Sequence, residues 1–213
     1  MASRKLVIAT RNKGKMEEFR AMLADLPVRL LSLADFPEVE VPPEDGDTYA
    51  ANALIKARSV ARATGLLTLA DDSGLEVDAL GGQPGVRSAY FAGEGAGDEA
   101  NNQKLLGLLK NVAWKDRTAR FRCVLALVKP VNPSAEGSSA FEEFLVEGTC
   151  EGMIGYAPRG DNGFGYDPLF YLPEFGCTVA ELPSEVKNRV SHRGRALAKF
   201  RPLLEQVVLR SPD

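Results

Sequence analysis

Between residues 5 and 10 the chain reads Lys-Leu-Val-Ile-Ala-Thr, a short apolar run with β-branched residues, the pattern of a strand buried on both faces. After the polar stretch 11–15, Met16, Phe19, Met22 and Leu23 recur at helical spacing until Pro27 stops them. A strand, a loop and a helix therefore follow one another. A second strand is predicted over residues 28–33, and a polar, proline-rich stretch leads from it to Gly46. Asp47 precedes a helix with Tyr49, Ala53, Leu54, Ala57, Val60 and Ala61 on one side, closed by Gly65.

Residues 66–70 read as another buried strand. It runs into Asp71-Asp72-Ser73-Gly74, which places two carboxylates at a strand end, where chemistry is well served in open α/β sheets. Residues 75–80 and a Gly81-Gly82 turn follow, and residues 98–109 form a third helix with Leu105, Leu106 and Leu109 as its apolar stripe. Over 118–128, Phe121, Cys123, Leu125 and Leu127 alternate with Arg120 and Arg122, the period of a half-buried strand. Residues 144–153 complete an antiparallel hairpin across a loop rich in Pro, Ser and Glu. A glycine-rich segment (159–168), a short strand (169–172) and a basic patch (187–195) precede a closing helix that carries Leu197, Phe200, Leu203, Leu204 and Val207. Pro202 lies inside that pattern and is expected to kink or split it, since an interior proline costs about 3 kcal/mol. Strands interleaved with helices and no repeats make this an α/β chain on a mixed sheet. A length of 213 residues suits one domain with an internal cleft.

Composition narrows the chemistry more than the fold. Lys plus Arg number 26 against 29 Asp plus Glu, a net charge of −3, which argues against a general nucleic-acid binder. No apolar run is long enough for a membrane span, and two basic residues followed by a strand-like stretch do not make an export signal. The one histidine, His192, excludes three-His zinc sites and HExxH chemistry. Cys123, Cys150 and Cys177 form no CxxC pair, which removes cysteine-rich zinc sites and fits a reducing cytoplasm. Any metal must then be held by oxygen.

Three segments carry candidate chemistry. Thr10-Arg11-Asn12-Lys13-Gly14-Lys15 brings main-chain amides, a hydroxyl, an amide and lysines to the start of a helix, where the dipole favours an anion such as phosphate. It lacks the Walker spacing, and a solvated basic turn is the alternative. Asp71-Asp72-Ser73, with Glu44 in the earlier acidic loop, offers hard oxygen ligands suited to Mg²⁺ and a carboxylate able to orient or deprotonate water. A turn or cap built from Asp and Ser is the other reading. Asn162-Gly163-Phe164-Gly165-Tyr166-Asp167 frees Phe164 to stack on a base, or else is a glycine loop around a core phenylalanine. Lys187, Ser191, His192, Arg193 and Arg195 add a compact basic cluster.

Five collinear blocks, ATRNKGK (9–15), NALIKAR (52–58), LADDSGLEVDALGGQPGVRSA (69–89), GFGYDPLF (163–170) and VSHRGRAL (190–197), carry a resemblance over nearly the whole chain. It resembles the inosine triphosphate pyrophosphatase family, the dITP/XTP pyrophosphatases that cleave aberrant purine nucleoside triphosphates. The resemblance implies an elongated mixed β-sheet flanked by helices, with two lobes around a central nucleotide cleft. It further implies a homodimer and Mg²⁺-dependent hydrolysis of the triphosphate to monophosphate and pyrophosphate.

Carried over by position, Thr10, Asn12 and Lys15 hold phosphates, with Arg11, Lys13 and Gly14 in the same loop and Lys56 adding charge. Asp72 binds the metal and acts on the attacking water, Asp71 supports it, and Ser73 touches substrate. Phe164, Gly165, Tyr166 and Asp167 hold base and sugar, while Lys187, His192 and Arg193 reach the phosphate and the 6-oxo edge of the purine. Two departures stand out. Pro43-Glu44-Asp45-Gly46 has proline where the family often has a first glutamate, leaving Glu44 as the candidate second metal ligand, and Pro202 interrupts a helix that is usually continuous. A pyrophosphatase for modified pyrimidine or methylated nucleotides, or a nucleotide-binding regulator without turnover, are the competing functions.

Overall fold

The protein is described from a computed structural model covering residues 4–131 and 140–210. Most of the expected Pro/Ser/Glu loop, residues 132–139, and the first three residues of the basic N-terminal segment lie outside the described residues. Seven strands form one mixed sheet in the order β2-β1-β3-β4-β5-β6-β7. They are β1 (Arg4–Ile8), β2 (Val28–Ser32), β3 (Leu67–Val77), β4 (Thr118–Pro130), β5 (Phe141–Ile154), β6 (Phe170–Leu172) and β7 (Cys177–Thr178). The helices are α1 (Lys13–Met22), α2 (Tyr49–Thr64), α3 (Asp98–Leu108), α4 (Ser184–Val190) and α5 (His192–Arg210). β1 pairs in parallel with β2 and with β3, placing Leu6 beside Leu30 and Leu67, while β6 runs antiparallel to β5 and β7. Parallel neighbours need crossovers, and α1 and α2 supply them. Leu6, Val7 and Ile8 are fully buried, as a strand covered on both faces requires.

Contacts divide the chain into two compact units that share it in alternating pieces. One comprises Met1–Asp72, Val124–Glu147 and Ala196–Asp213, the other Ser73–Cys123 and Gly148–Arg195. In the first, Leu6, Ile8, Phe19, Ala53, Ala57 and Val60 are wholly buried. The core of the second joins Leu75, Val77, Leu105, Leu109, Phe121, Tyr166, Leu169 and Phe170. A buried arginine, Arg117, braces this second unit. Its guanidinium donates to the carbonyls of Leu109 at 2.6 Å, Val112 at 3.1 Å and Gly155 at 2.8 Å, and stacks 4.0 Å from the Tyr156 ring centroid. It thereby adds a second donor to the Leu109 carbonyl, which already accepts the Val112 N–H at 2.9 Å, and serves the Val112 and Gly155 carbonyls beyond the ends of α3 and β5.

Two elements differ from the expectation. Asp71 and Asp72 do not end a strand or form a turn: β3 continues through them to Val77. Buried cations and amides compensate both carboxylates, so the strand has no need to surface there. The closing helix is neither ended nor split at Pro202, and α5 runs through it to Arg210. The buried Ala196, Leu197, Phe200, Leu204 and Val208 keep one apolar face on both sides of the proline, and this packing outweighs the local penalty. Among the described residues, no helix is long and apolar enough to cross a membrane.

Candidate active site

In the first unit the polar site is assembled from α1, the acidic loop, α2 and β3. Asn12 caps α1, its side-chain oxygen accepting the Lys15 N–H at 2.9 Å, while Thr10 Oγ1 accepts the Asn12 N–H at 3.1 Å. The loop thus presents a helix N-terminus built as an anion site would be. Arg11 donates to the Val39 carbonyl at 3.1 Å. Thr10, Arg11, Asn12 and Lys13 also border a cavity of about 450 Å³ with Arg20 and Ser32. Gly14 is half-buried in the first turn, and Lys15 reaches from that turn to Asp71, 2.9 Å from its carboxylate.

The centre of this unit is Lys56, 5% exposed, on the inward face of α2. Its ammonium lies 2.9 Å from Glu44, 3.6 Å from Asp72 and 2.7 Å from the Asp71 carbonyl. Burial pulls its pKa down, but the charges of Asp71, Glu44 and Asp72 outweigh burial and hold it above the ordinary lysine value. Burial pushes the Asp72 carboxyl up to about 6; the adjoining Glu44 carboxylate adds to the rise, and Lys56 and Lys15 oppose it.

Sequence reasoning named Lys56 but missed its neighbour Asn52, one helical turn earlier and fully buried. Its amide donates to Asp72 Oδ2 at 3.1 Å, and its oxygen accepts the Gly46 N–H at 2.8 Å. Asn52 therefore ties the Glu44 loop to Asp72. A polar residue four positions before Lys56 on an otherwise alanine-rich buried face was the available signal.

In the second unit the glycine-rich segment meets α4 and the start of α5. Phe164 is half-buried, with Lys187 Nζ 4.7 Å and the Arg193 guanidinium carbon 5.8 Å from its ring centroid. Lys187 pairs with Asp167 at 2.6 Å, and the same carboxylate oxygen accepts the Phe164 N–H at 3.0 Å. Gly163 sits beside this pair with a φ of +84°, and a Cβ there would collide with the Asp167 carboxylate. The fully buried Arg193 donates to Ser73 Oγ at 3.4 Å, and His192 stacks on Phe121 with ring centroids 4.7 Å apart. At Gly194, directly after them, a Cβ would run into the Asn188 carbonyl oxygen, because the turn between α4 and α5 closes on itself there.

Phe164, Lys187, Arg193 and Ser73 are thus brought together, with His192 alongside. Tyr166 and Asp167 behave differently from the expectation that they face a ligand. Tyr166 is buried in the core with its hydroxyl donating to the Ser88 carbonyl at 2.8 Å, and Asp167 is buried under Lys187. Burial of an aromatic ring and neutralisation of a carboxylate by ammonium make both of them supports of the loop.

The Ham1 family profile matches residues 6–203 of the chain. The chain belongs to the Ham1 family. A relative from Geobacter sulfurreducens named dITP/XTP pyrophosphatase is 55% identical over 194 residues, covering 91% of this chain and 93% of the relative. One of the same name from Geobacillus kaustophilus is 49% identical over 205 residues, 96% of each chain. Among solved structures, a HAM1 protein from Coxiella burnetii superposes with a TM-score of 0.82 at 41% identity, covering 95% of this chain and 99% of that one. A nucleoside-triphosphatase, dITP/XTP pyrophosphatase, from Mycobacterium abscessus gives 0.71 at 45% identity, covering 94% and 99%. The α/β fold with its mixed sheet flanked by helices is therefore that of Ham1 proteins.

Proposed function

We propose that this Ham1 protein hydrolyses the aberrant purine nucleoside triphosphates ITP, dITP and XTP to the monophosphate and pyrophosphate, with Mg²⁺ as its metal ion. The observation that carries the reading is the constellation of buried Lys56 and Asp72 with the exposed Glu44 beside them, in a chain whose relatives are named for this activity. Among the described residues no three His, Cys, Asp or Glu are grouped to hold a metal by themselves. That donor set still suits Mg²⁺, which is commonly held by one or two carboxylates while water and substrate phosphates complete its shell. Glu44 and Asp72 are two such carboxylates gathered around Lys56, and a cation relieves the repulsion between their like charges. When bound, the ion supplies charge neutralisation along the triphosphate and an acidified water.

The chain's own groups do the rest. Asn52 fixes Asp72 Oδ2, and Oδ1, which lies 3.6 Å from the Lys56 ammonium, is the oxygen that takes a proton from water as it attacks the α-phosphorus. The new bond forms to that phosphorus and the α–β phosphoanhydride bond breaks, pyrophosphate leaving with the bonding electron pair. Lys15, Lys56 and the amides that open α1 offset the charge on the phosphates. In the second unit, Phe164 stacks on the purine, with Lys187 beside its ring, and His192 and Arg193 donate to the 6-oxo group. Adenine presents an amine there and would leave those donors unpaired. The resemblance adds a homodimer and a cytoplasmic setting to the proposal, and sedimentation of the purified chain tests the dimer.

The test is a panel of ITP, dITP, XTP, GTP and ATP with separate detection of pyrophosphate and orthophosphate. Hydrolysis of ITP and XTP at least about 100-fold more efficient than that of ATP, with pyrophosphate as product, is expected. Equal rates on ATP and ITP, or release of orthophosphate alone, would overturn it.

A further inference from the structure

The α3 helix presents a polar face that the scheme above leaves unused. Asp98, Asn101, Asn102 and Leu105 stand at positions i, i+3, i+4 and i+7 and so share one side. Leu105 is fully buried in the core of the second unit and anchors the helix. The three polar residues each hold the main chain of a loop. Asn101, itself buried, accepts the Ala92 N–H at 2.8 Å and donates to the Ala89 carbonyl at 3.2 Å.

The other two converge on one residue of the aromatic loop. The Asp98 carboxylate accepts the Gly165 N–H at 2.6 Å, and the Asn102 amide donates to the Gly165 carbonyl at 2.9 Å. Asn102 Oδ1 is buried with no hydrogen bond among the described residues, so the bond to Gly165 is what its amide contributes here. Gly165 is covalently next to Phe164, whose own N–H is taken by Asp167. The main chain on both sides of the ring is thus fixed, by α3 on one side and by the Asp167–Lys187 pair on the other.

We propose that Asp98 and Asn102 are positioning residues that set the Phe164 ring in place for the purine before the nucleotide arrives. The inference rests on Phe164 being the stacking platform described above. A loop held in its binding conformation spares the ligand the cost of ordering it, so the clamp acts on base affinity and leaves phosphate affinity alone. The two bonds, one from the Gly165 N–H and one to its carbonyl, hold the same residue and act together.

The experiment compares full-length wild type with Asp98→Ala, Asn102→Ala and Asp98→Asn. It measures kcat and KM for ITP, inhibition by inorganic tripolyphosphate, which has no base, and the thermal midpoint. Each alanine variant is expected to raise KM for ITP about tenfold with kcat within about twofold, the size of effect that losing one such hydrogen bond gives. Tripolyphosphate inhibition stays unchanged, and Asp98→Asn, which keeps an acceptor, recovers most of the KM. A merely structural role would lower the thermal midpoint and the active fraction without moving KM. Folded alanine variants with wild-type KM, or a tripolyphosphate affinity that falls as far as that for ITP, overturn the inference. Should Asn102→Ala fail to fold, Asn102→Asp sets an acceptor against the Gly165 carbonyl and takes its place with the same expected KM. A wild type inactive on ITP would defeat the functional reading and not the clamp. Amide exchange at Gly165 then decides, since faster exchange in Asp98→Ala supports the clamp and unchanged exchange overturns it.

Discussion

Asp72 holds its charge at a cost to folding. Its folded pKa, raised by burial to about 6, lies above the value of roughly 3.9 for an unfolded aspartate. The folded chain therefore keeps a proton that the unfolded chain releases, and stability falls as pH rises from about 4 through 6. In EDTA, Asp72→Asn should unfold about 3 °C higher than wild type at pH 7.5, corresponding to about 1 kcal/mol, part of the relief being offset because Lys56 loses one of its carboxylates. The gain should shrink towards pH 4, while hydrolysis of ITP drops about 100-fold or more. Calorimetry across pH and a pyrophosphate assay check both; a variant less stable at pH 7.5, or one that keeps its rate, contradicts the assignment. At this scale residue type and neighbourhood were legible: Asp71, Asp72, Lys15 and Lys56 do share one buried cluster. The partners were not. Nothing along the chain says that Lys187 pairs with Asp167 or that Asn52 bonds Asp72, because those contacts join positions 20 residues apart.

Elements were read well where period and caps agreed. α1 starts at its Asn12 cap and α2 ends at Gly65, and both could be placed from local chemistry alone. β3 outruns its expected end and α5 is not split at Pro202, because their local signals, adjacent aspartates and a proline, are overridden by distant lysines and by core packing. Arg117 shows the reverse case, a long-range brace with no local signal at all. It is 2% exposed and donates to four carbonyls around α3 and β5. Arg117→Met should preserve volume yet remove the guanidinium donors, leaving the Leu109 carbonyl only the Val112 N–H and lowering the unfolding free energy by about 3 kcal/mol in urea titration. A loss below about 1 kcal/mol would mean that solvent reaches the carbonyls and that the brace is dispensable.

Across the whole molecule, the −3 net charge conceals buried ions of both signs, Lys56, Lys187, Arg117 and Arg193 against Asp71, Asp72 and Asp167. The alternation of the two compact units along the chain was beyond the sequence, since no change of composition marks the passage from Asp72 to Ser73 and the division follows from long-range contacts alone. Thiol chemistry offers a check on the second unit. Cys123 and Cys150 are buried, and burial pushes the Cys150 thiol up to about 11. At pH 8 a disulfide reagent should label neither in the native protein, and both should react at the rate of unfolding once urea is added. Fast native labelling of Cys150 would sink this.

Gly194 carries the last consequence. It touches no proposed ligand, yet any side chain there strikes the Asn188 carbonyl and pushes apart the two helices that present Lys187 and Arg193. In a survey of all single substitutions it would rank with Asp72 among the least tolerant positions, a purely spatial requirement that a tally of lost activity would mistake for chemistry.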